Sequence, residues 1–458
     1  MMKKLFACLM VLVLLCLTAC GNMSSVRCTD DVMVYGDTKA KDPLRVCIDM
    51  HHAASFGFEG MEEFLERLNG LVGLSDVIIE CIPSDQDKNS RLQETSVRAA
   101  ALDRIRAEIM AGEGPDVFIM EYRYMIDRLS YEVDYGKTNC LFKYPEKAME
   151  NGIFLPLDEY MENSTQLTEW DKQIEAVLAA GRNEEGQQII PLNYSFPLLA
   201  YPKTTGEHIP DKKYTWDDML THPDLLPHSL DLANFGFLNT RDNDWNQPSA
   251  DLVHVLGTYA DFEEEELLIT EEELLKTVRE ILSFEQKDQY ESVEQAEEIE
   301  IDTYYLRDER YNKPMTFMPF YSRNGGVTAE IYAFAAVNRN TKRPEDAFKV
   351  IDLLMSKEFQ RTSRLYHEVI CLNSLPLHEE LFQKTTPLGG MQSSMTDENF
   401  ATFSAVRAQL TDAVFESEGV FMLQMMLSDC MHASEKGEKT VEEIVHEYYI
   451  DLERRMRE

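Results

Sequence analysis

The sequence predicts an α/β fold built on a parallel sheet, and three observations carry that prediction. Apolar runs at residues 44–50 (LRVCIDM), 76–83 (DVIIECIP) and 116–120 (DVFIM) read as strands buried on both faces, as parallel strands are. Between them lie two helical periodicities: Met61, Phe64, Leu65 and Leu68 share a face over residues 59–71, and Leu102, Ile105 and Ile109 share one over 102–111. The second helix must stop at a Gly-Glu-Gly-Pro turn, because Gly112 and Gly114 tolerate positive φ and Pro115 cannot continue it. Arg104, Arg106 and Glu108 fall on the other side of this helix and are expected to face water. Strands alternating with helices place ligands beyond the carboxyl ends of the strands, here at residues 51–55, 84–85 and at Glu121-Tyr122.

The chain before the first strand reads as an address and a tether. Lys3 and Lys4 precede an apolar run at residues 5–17, shorter than the ~20 residues of a membrane span and typical of an export signal. Leu17-Thr18-Ala19-Cys20 resembles a bacterial lipobox, which implies cleavage before Cys20 and lipidation of its thiol. Residues 21–43, rich in Ser, Asp, Gly and Lys with no sustained period, read as a flexible tether; as a coil it would span ~27 Å.

Composition bounds the rest. The chain of 458 residues is long enough for two or three domains. Its net charge of −38 opposes binding to nucleic acid or anionic lipid surfaces. Beyond Cys20 lie Cys28, Cys47, Cys81, Cys140, Cys371 and Cys430, an even number whose spacings form no disulfide framework. Cys47 and Cys81 sit inside apolar strands, where a thiol serves as a small hydrophobe. Further along, Pro191 and Pro197 interrupt an extended apolar run, which suits a hinge better than a central strand. Thr270-Glu271-Glu272-Glu273 is a capping box, followed by a stripe of Leu274, Leu275, Val278, Ile281 and Leu282. Pro344 suits a first helical position, with Glu345 and Asp346 at the positive end and Phe348, Ile351, Leu354 and Met355 on one face.

Several of these stretches resemble one family. AEIMAGEGPDVFIM (107–120) resembles the AGxGPD-plus-strand signature of family 1 extracellular solute-binding proteins, the lipid-anchored receptors of bacterial ABC importers. NGIFLPLDEYME (151–162), the stretch at 187–205, Thr215-Trp216-Asp217-Asp218, IYAFAAVNRNTKRPEDAFKVIDLLMSKEFQ (331–360), NSLPLHEELF (373–382) and a terminal helix at 440–458 follow in the family's order. Ser374 and His378 stand where glycine and arginine are common in the return segment. The resemblance implies a periplasmic-binding-protein-like fold of type II with interleaved lobes: 44–192 and 333–371 in the first, 193–332 and 372–458 in the second. It also implies cargo held between the lobes, permease subunits as partners, attachment to the outer face of the cell membrane, and carbohydrate as the commonest solute.

Enzymatic and metal chemistry finds little footing. There is no G-x-S-x-G, P-loop or dinucleotide fingerprint. Asp85-x-Asp87-x-Asn89 begins like a calcium loop, but Ser90 replaces the turn glycine and Ser96 the closing glutamate. His51 and His52 are adjacent on an extended segment, so their side chains diverge. The reading is therefore a binding protein with no metal or cofactor; a secreted carbohydrate-active enzyme and a solute receptor for a sensor kinase are the alternatives. Sugar sites need aromatic faces ringed by polar groups. Trp245 in a polar loop, Tyr122 and Glu121 at a strand end, Asn193 and Tyr194 on the first crossing, and Tyr321 and Arg323 before Gly325-Gly326 are the candidates, with ordinary packing open for each. Trp170 and Trp216 read as structural.

Overall fold

The computed structural model describes residues 27–28, 32–37, 39–50, 53–83, 93–122, 126–127, 132–133, 140–164, 167–196, 198–202, 252–285, 297–298, 315–319, 321–371, 374–381, 396–436 and 439–457. Cys20, His51, His52, the stretch from Asp85 to Asn89, the Thr215-Trp216-Asp217-Asp218 helix start and Trp245 lie outside these residues.

The principal strands are β1 (Arg27–Cys28), β2 (Met33–Gly36), β3 (Leu44–Asp49), β4 (Val77–Cys81), β5 (Val117–Glu121), β6 (Ile189–Pro191), β7 (Leu198–Pro202), β8 (Met315–Pro319), β9 (Val327–Ile331), β10 (Ala333–Val337) and β11 (Leu410–Phe415). The principal helices are α1 (Ala53–Val72), α2 (Gln93–Met110), α3 (Pro145–Glu150), α4 (Leu252–Leu256), α5 (Glu271–Glu285), α6 (Pro344–Met355), α7 (Asp397–Arg407), α8 (Glu418–Lys436) and α9 (Val441–Arg457).

One half of the molecule is a seven-stranded sheet in the order β1-β2-β4-β3-β5-β10-β6. The predicted trio is parallel, with β3 between β4 and β5, while the outer strands run antiparallel. β6 is the edge strand, which is where a sheet tolerates Pro191. Met61, Phe64 and Leu68 of α1, Leu102 and Ile105 of α2 and the apolar face of α6 bury against this sheet. Asp49 at the end of β3 accepts two bonds from Arg98 of α2, at 2.7 and 2.8 Å, and both side chains are buried. A buried pair of this kind must be complete, since either charge alone would be costly.

Two expectations need correction here. Residues 33–36 are not tether: Met33–Gly36 pairs antiparallel with β4, and Val32 and Val34 bury against Ala101. Its short apolar run, Val32 to Tyr35, is buried on both faces between its neighbours, a signal that the polar surroundings concealed. Nor does the outer face of α2 simply meet water. Arg104 pairs with Glu108 at 2.7 Å, Arg45 bridges Glu108 and Glu80 at 2.8 Å each, and Arg106 donates to the Cys140 carbonyl. Glu80 is nearly buried in β4, so its carboxylate draws these cations inward.

The other half holds a short sheet in which β7 pairs with β8 and a separate pair of parallel strands, β9 and β11. Its core is mainly helical: Leu252 and Val253 of α4, Leu274 and Val278 of α5, Leu423 and Met426 of α8 and Val445 of α9 pack together. The predicted capping box opens α5, with the Glu273 carboxylate accepting from the Thr270 amide at 2.9 Å. Cys47, Cys81, Cys140, Cys371 and Cys430 are all free and buried. Among the described residues no helix is long and apolar enough to cross a membrane.

Candidate functional site

Among the described residues the chain passes between the halves three times, and the passages lie side by side. The first leaves β6 through residues 192–196 on the way to β7. The second is Tyr332, the single residue between β9 and β10. The third leaves the helical turn Tyr366–Ile370 for Ser374 and Leu375. Tyr194 exchanges backbone bonds with Leu375 at 3.1 and 2.8 Å, and Ser195 with Glu330 at 2.9 Å each way. The first crossing is thus the middle strand of a three-strand strap.

Asn193 sits on that strap, buried. Its Nδ2 donates to the Ile370 carbonyl at 2.5 Å, and its Oδ1 accepts from the amides of Tyr332 and Ala333 at 3.2 and 2.9 Å. Tyr194 stacks on Phe196, which packs on Phe403 of α7. Burial pushes the Tyr194 phenol up to about 12, partly offset by Arg407. Glu121 joins the strap from the sheet side, paired in register with Ala333. The half-buried Tyr332 donates to the Glu330 carboxylate at 3.2 Å, and its oxygen lies 2.9 Å from the Ser195 hydroxyl. His254 lies 4.0 Å beyond Glu330, and burial pulls its imidazole down to about 3, so the ring is neutral.

Beside the strap, the halves meet in a small cluster separate from both cores. Tyr122, one residue past β5, and Cys140 come from the sheet half; Phe421 and Met425 come from α8. The Tyr122 and Phe421 ring centroids are 6.5 Å apart. Tyr144 stands next to them, 6.1 Å from Phe262 and against Gly419, where a Cβ would run into the Tyr259 hydroxyl and press on the Tyr144 ring. The start of α8 is tied across the gap: the Glu418 amide donates to the Lys143 carbonyl at 2.9 Å, and its carboxylate meets Lys143 at 3.3 Å and also Arg455. Among the described residues, the buried hydroxyls of Tyr122 and Tyr144 have no hydrogen-bond partner. Burial drives both phenols well above their ordinary range, with Glu418 adding to it, so both stay neutral. A buried hydroxyl with no partner costs free energy that a bonded one does not. Two of them facing one another's neighbourhood, with an aromatic ring and a methionine as the apolar wall, suit a polar solute that has one apolar face.

Of the residues singled out from sequence, the structure brings Tyr122 to this junction and Glu121, Asn193 and Tyr194 to the strap. Tyr321 and Arg323 belong elsewhere, bonded within the helical half to Gln409 and Glu280. Trp170 packs on Phe348, 6.1 Å between centroids, as a structural residue would. Tyr144, Tyr332, Glu330, Gly419 and Phe421 were not singled out. The one local signal for them is Ser417-Glu418-Gly419 between a strand and a helix, a cap with a residue small enough for close approach. Among the described residues no group of acids, histidines or cysteines could hold a metal.

No family profile matches the chain, and no curated protein matches it. Solved structures do. An extracellular solute-binding protein family 1 from Alicyclobacillus acidocaldarius is 10% identical with a TM-score of 0.51, over 92% of this chain and all of that one (100%). The designed cysteine esterase ECH19 is 13% identical with a TM-score of 0.52, over 91% and 98%. An ABC substrate-binding protein from Listeria monocytogenes, solved with cycloalternan, is 11% identical with a TM-score of 0.48, over 90% and 98%. The chain therefore has the two-lobe α/β fold seen in extracellular solute-binding proteins of family 1.

Proposed function

We propose that this protein is an extracytoplasmic solute receptor that captures a small molecule between its two lobes by hinge closure and delivers it to an ABC permease. The reading takes Cys20 as the lipid anchor on the outer face of the cell membrane. It divides the lobes at 44–192 with 333–371 and 193–332 with 372–458. Permease subunits are its protein partners and it performs no chemistry on its cargo. The observation that carries the reading is the junction: a half built on the seven-stranded sheet and a half with its own helical core, joined by three adjacent crossings, meet at two buried phenols without partners among the described residues. A solute that touches both sides favours the closed form, and only such differential affinity can drive closure.

The solute class proposed is a carbohydrate. Sugars present apolar C–H faces and rings of hydroxyls, which match an aromatic wall beside free phenol groups. Glu121, Tyr122, Asn193, Tyr194, Tyr321, Arg323 and Trp245 were the candidates from sequence; the geometry favours Tyr122, joined by Tyr144 and Phe421, as the contacts. Native mass spectrometry of the purified protein, followed by a thermal-shift panel of sugars, polyols, amino acids and peptides, tests it. The expected result is a sugar hit in the micromolar range, about −8 kcal/mol, weakened by Trp245→Ala with little loss of apo stability. A panel with hits only outside the sugars overturns the solute class, and turnover of a bound glycan overturns the receptor reading in favour of an enzyme.

A further inference from the structure

We infer that Asn193 is the positioning residue of the hinge: its carboxamide clamps all three crossings where they leave the seven-stranded sheet, so the lobes pivot on the residues just beyond it. The inference rests on the proposed lobe motion and adds where that motion begins. Each partner of the Asn193 side chain is a backbone atom of another crossing: the Ile370 carbonyl on the third, and the Tyr332 and Ala333 amides on the second. Only a carboxamide can donate and accept in this way from one planar tip. Aspartate keeps the acceptor and loses the donor, and leucine keeps neither.

The surroundings make this a fixed point. The Leu192 amide donates to the Ala333 carbonyl at 2.8 Å, and the Leu192 carbonyl accepts from the buried Tyr366 hydroxyl at 3.1 Å. Every partner named so far lies at the sheet end of the strap, in or next to β10 and the Tyr366–Ile370 turn. One residue further along, the three crossings are held by backbone pairs alone at Tyr194 and Leu375, and by the Ser195–Tyr332–Glu330 hydroxyl chain at Ser195. The change from a buried carboxamide bonded to three backbone groups to a backbone ladder joined only by the half-buried Tyr332 hydroxyl marks the boundary between a rigid root and a strap that can flex. It also explains why Asn193 does not reach solute: its oxygen already accepts two bonds and its nitrogen is committed to a buried carbonyl.

The test uses the full chain and needs no solute. Asn193→Leu and Asn193→Asp are compared with wild type by solution scattering, thermal midpoint and residue-resolved hydrogen exchange. The expected result is a larger radius of gyration and a broader distance distribution in both variants. In the leucine variant, exchange at the Tyr332 and Ala333 amides should rise about tenfold, on the scale of one lost hydrogen bond, while the aspartate variant keeps these two protected. Should the leucine variant not fold, the aspartate variant alone carries the scattering comparison. Unchanged scattering with a lower thermal midpoint makes Asn193 a packing residue and overturns the inference, as does exchange that accelerates evenly through the sheet. Neither outcome touches the receptor reading, which fails separately if the solute panel and native mass spectrometry give no ligand.

Discussion

The strap and the junction lie side by side between the same two halves, yet they are built on opposite terms. In the strap, most polar groups are consumed: Asn193 makes three bonds, the Tyr366 hydroxyl reaches the Leu192 carbonyl, and the backbones of Tyr194, Ser195, Glu330 and Leu375 pair as a ladder, although the buried Tyr194 hydroxyl has no partner among the described residues. At the junction, Tyr122 and Tyr144 are as well buried as the strap residues but their hydroxyls meet nothing. A contact meant to last satisfies its polar atoms; one meant to part leaves them for water or a solute. The difference separates the place where the molecule bends from the place where it grips.

Substitutions that break the contrast should have graded effects. The largest is Gly419→Val, which forces a branched side chain into the space filled by Tyr259 and Tyr144. Overpacking of this kind costs about 1–3 kcal/mol: the apo thermal midpoint falls, because Tyr259 and Gly419 share one half, and solute affinity drops by up to a hundredfold as Tyr144 is pushed away. A midpoint that falls with affinity intact would make the junction an ordinary core. Next is Tyr366→Phe, which strips one satisfied bond from the strap and should cost about 1 kcal/mol of stability by denaturant titration, with no change in solute affinity.

A third variant sharpens the comparison through pH. Glu146 of α3 faces the junction, near Tyr259 and bonded to the Phe415 backbone, and burial raises its carboxyl from 4.5 to about 7. A carboxyl raised in the folded state favours folding fully below its unfolded pKa, and that contribution is lost as pH climbs through about 7. Stability should therefore decline between about pH 4.5 and 7, and Glu146→Gln should flatten this part of the profile. An identical slope in the variant would assign the decline elsewhere. The smallest expected effect is that of Tyr122→Phe, which removes a hydroxyl bonded to nothing and should leave stability within about 0.5 kcal/mol while weakening solute binding. Tyr122→Phe and Tyr366→Phe are the same chemical change, so the pair isolates the environment.

Much of the sheet half was legible because local pattern and tertiary fate agree there. The runs at 44–50, 76–83 and 116–120, the Met61-Phe64-Leu68 face and the Pro344 helix start all became the elements their periodicity predicts. The crossing at Pro191 was legible too, since proline confines a strand to an edge. The strand Met33–Gly36 was hidden because four residues amid polar ones carry too short a period to separate from tether. The junction was hidden for a different reason. Tyr144 lies more than two hundred residues from Gly419 and Phe421, and each looks like a helix-start or core residue in its own segment; only the fold brings them together, and only burial without a partner sets Tyr144 apart. Asn193 was picked as a ligand contact because an exposed amide on a crossing would be one, whereas its bonds to three backbone groups could not be read from sequence.

The most direct test is residue-resolved hydrogen exchange on the purified protein. It compares the Glu418 amide, bonded across the junction to Lys143, with the Ser195 and Leu375 amides of the strap. The strap amides are expected to exchange only through global unfolding, and the Glu418 amide through a local opening that is at least about tenfold more frequent. Equal protection at all three sites would mean that the two halves part nowhere short of unfolding, and would contradict a junction that opens beside an intact strap.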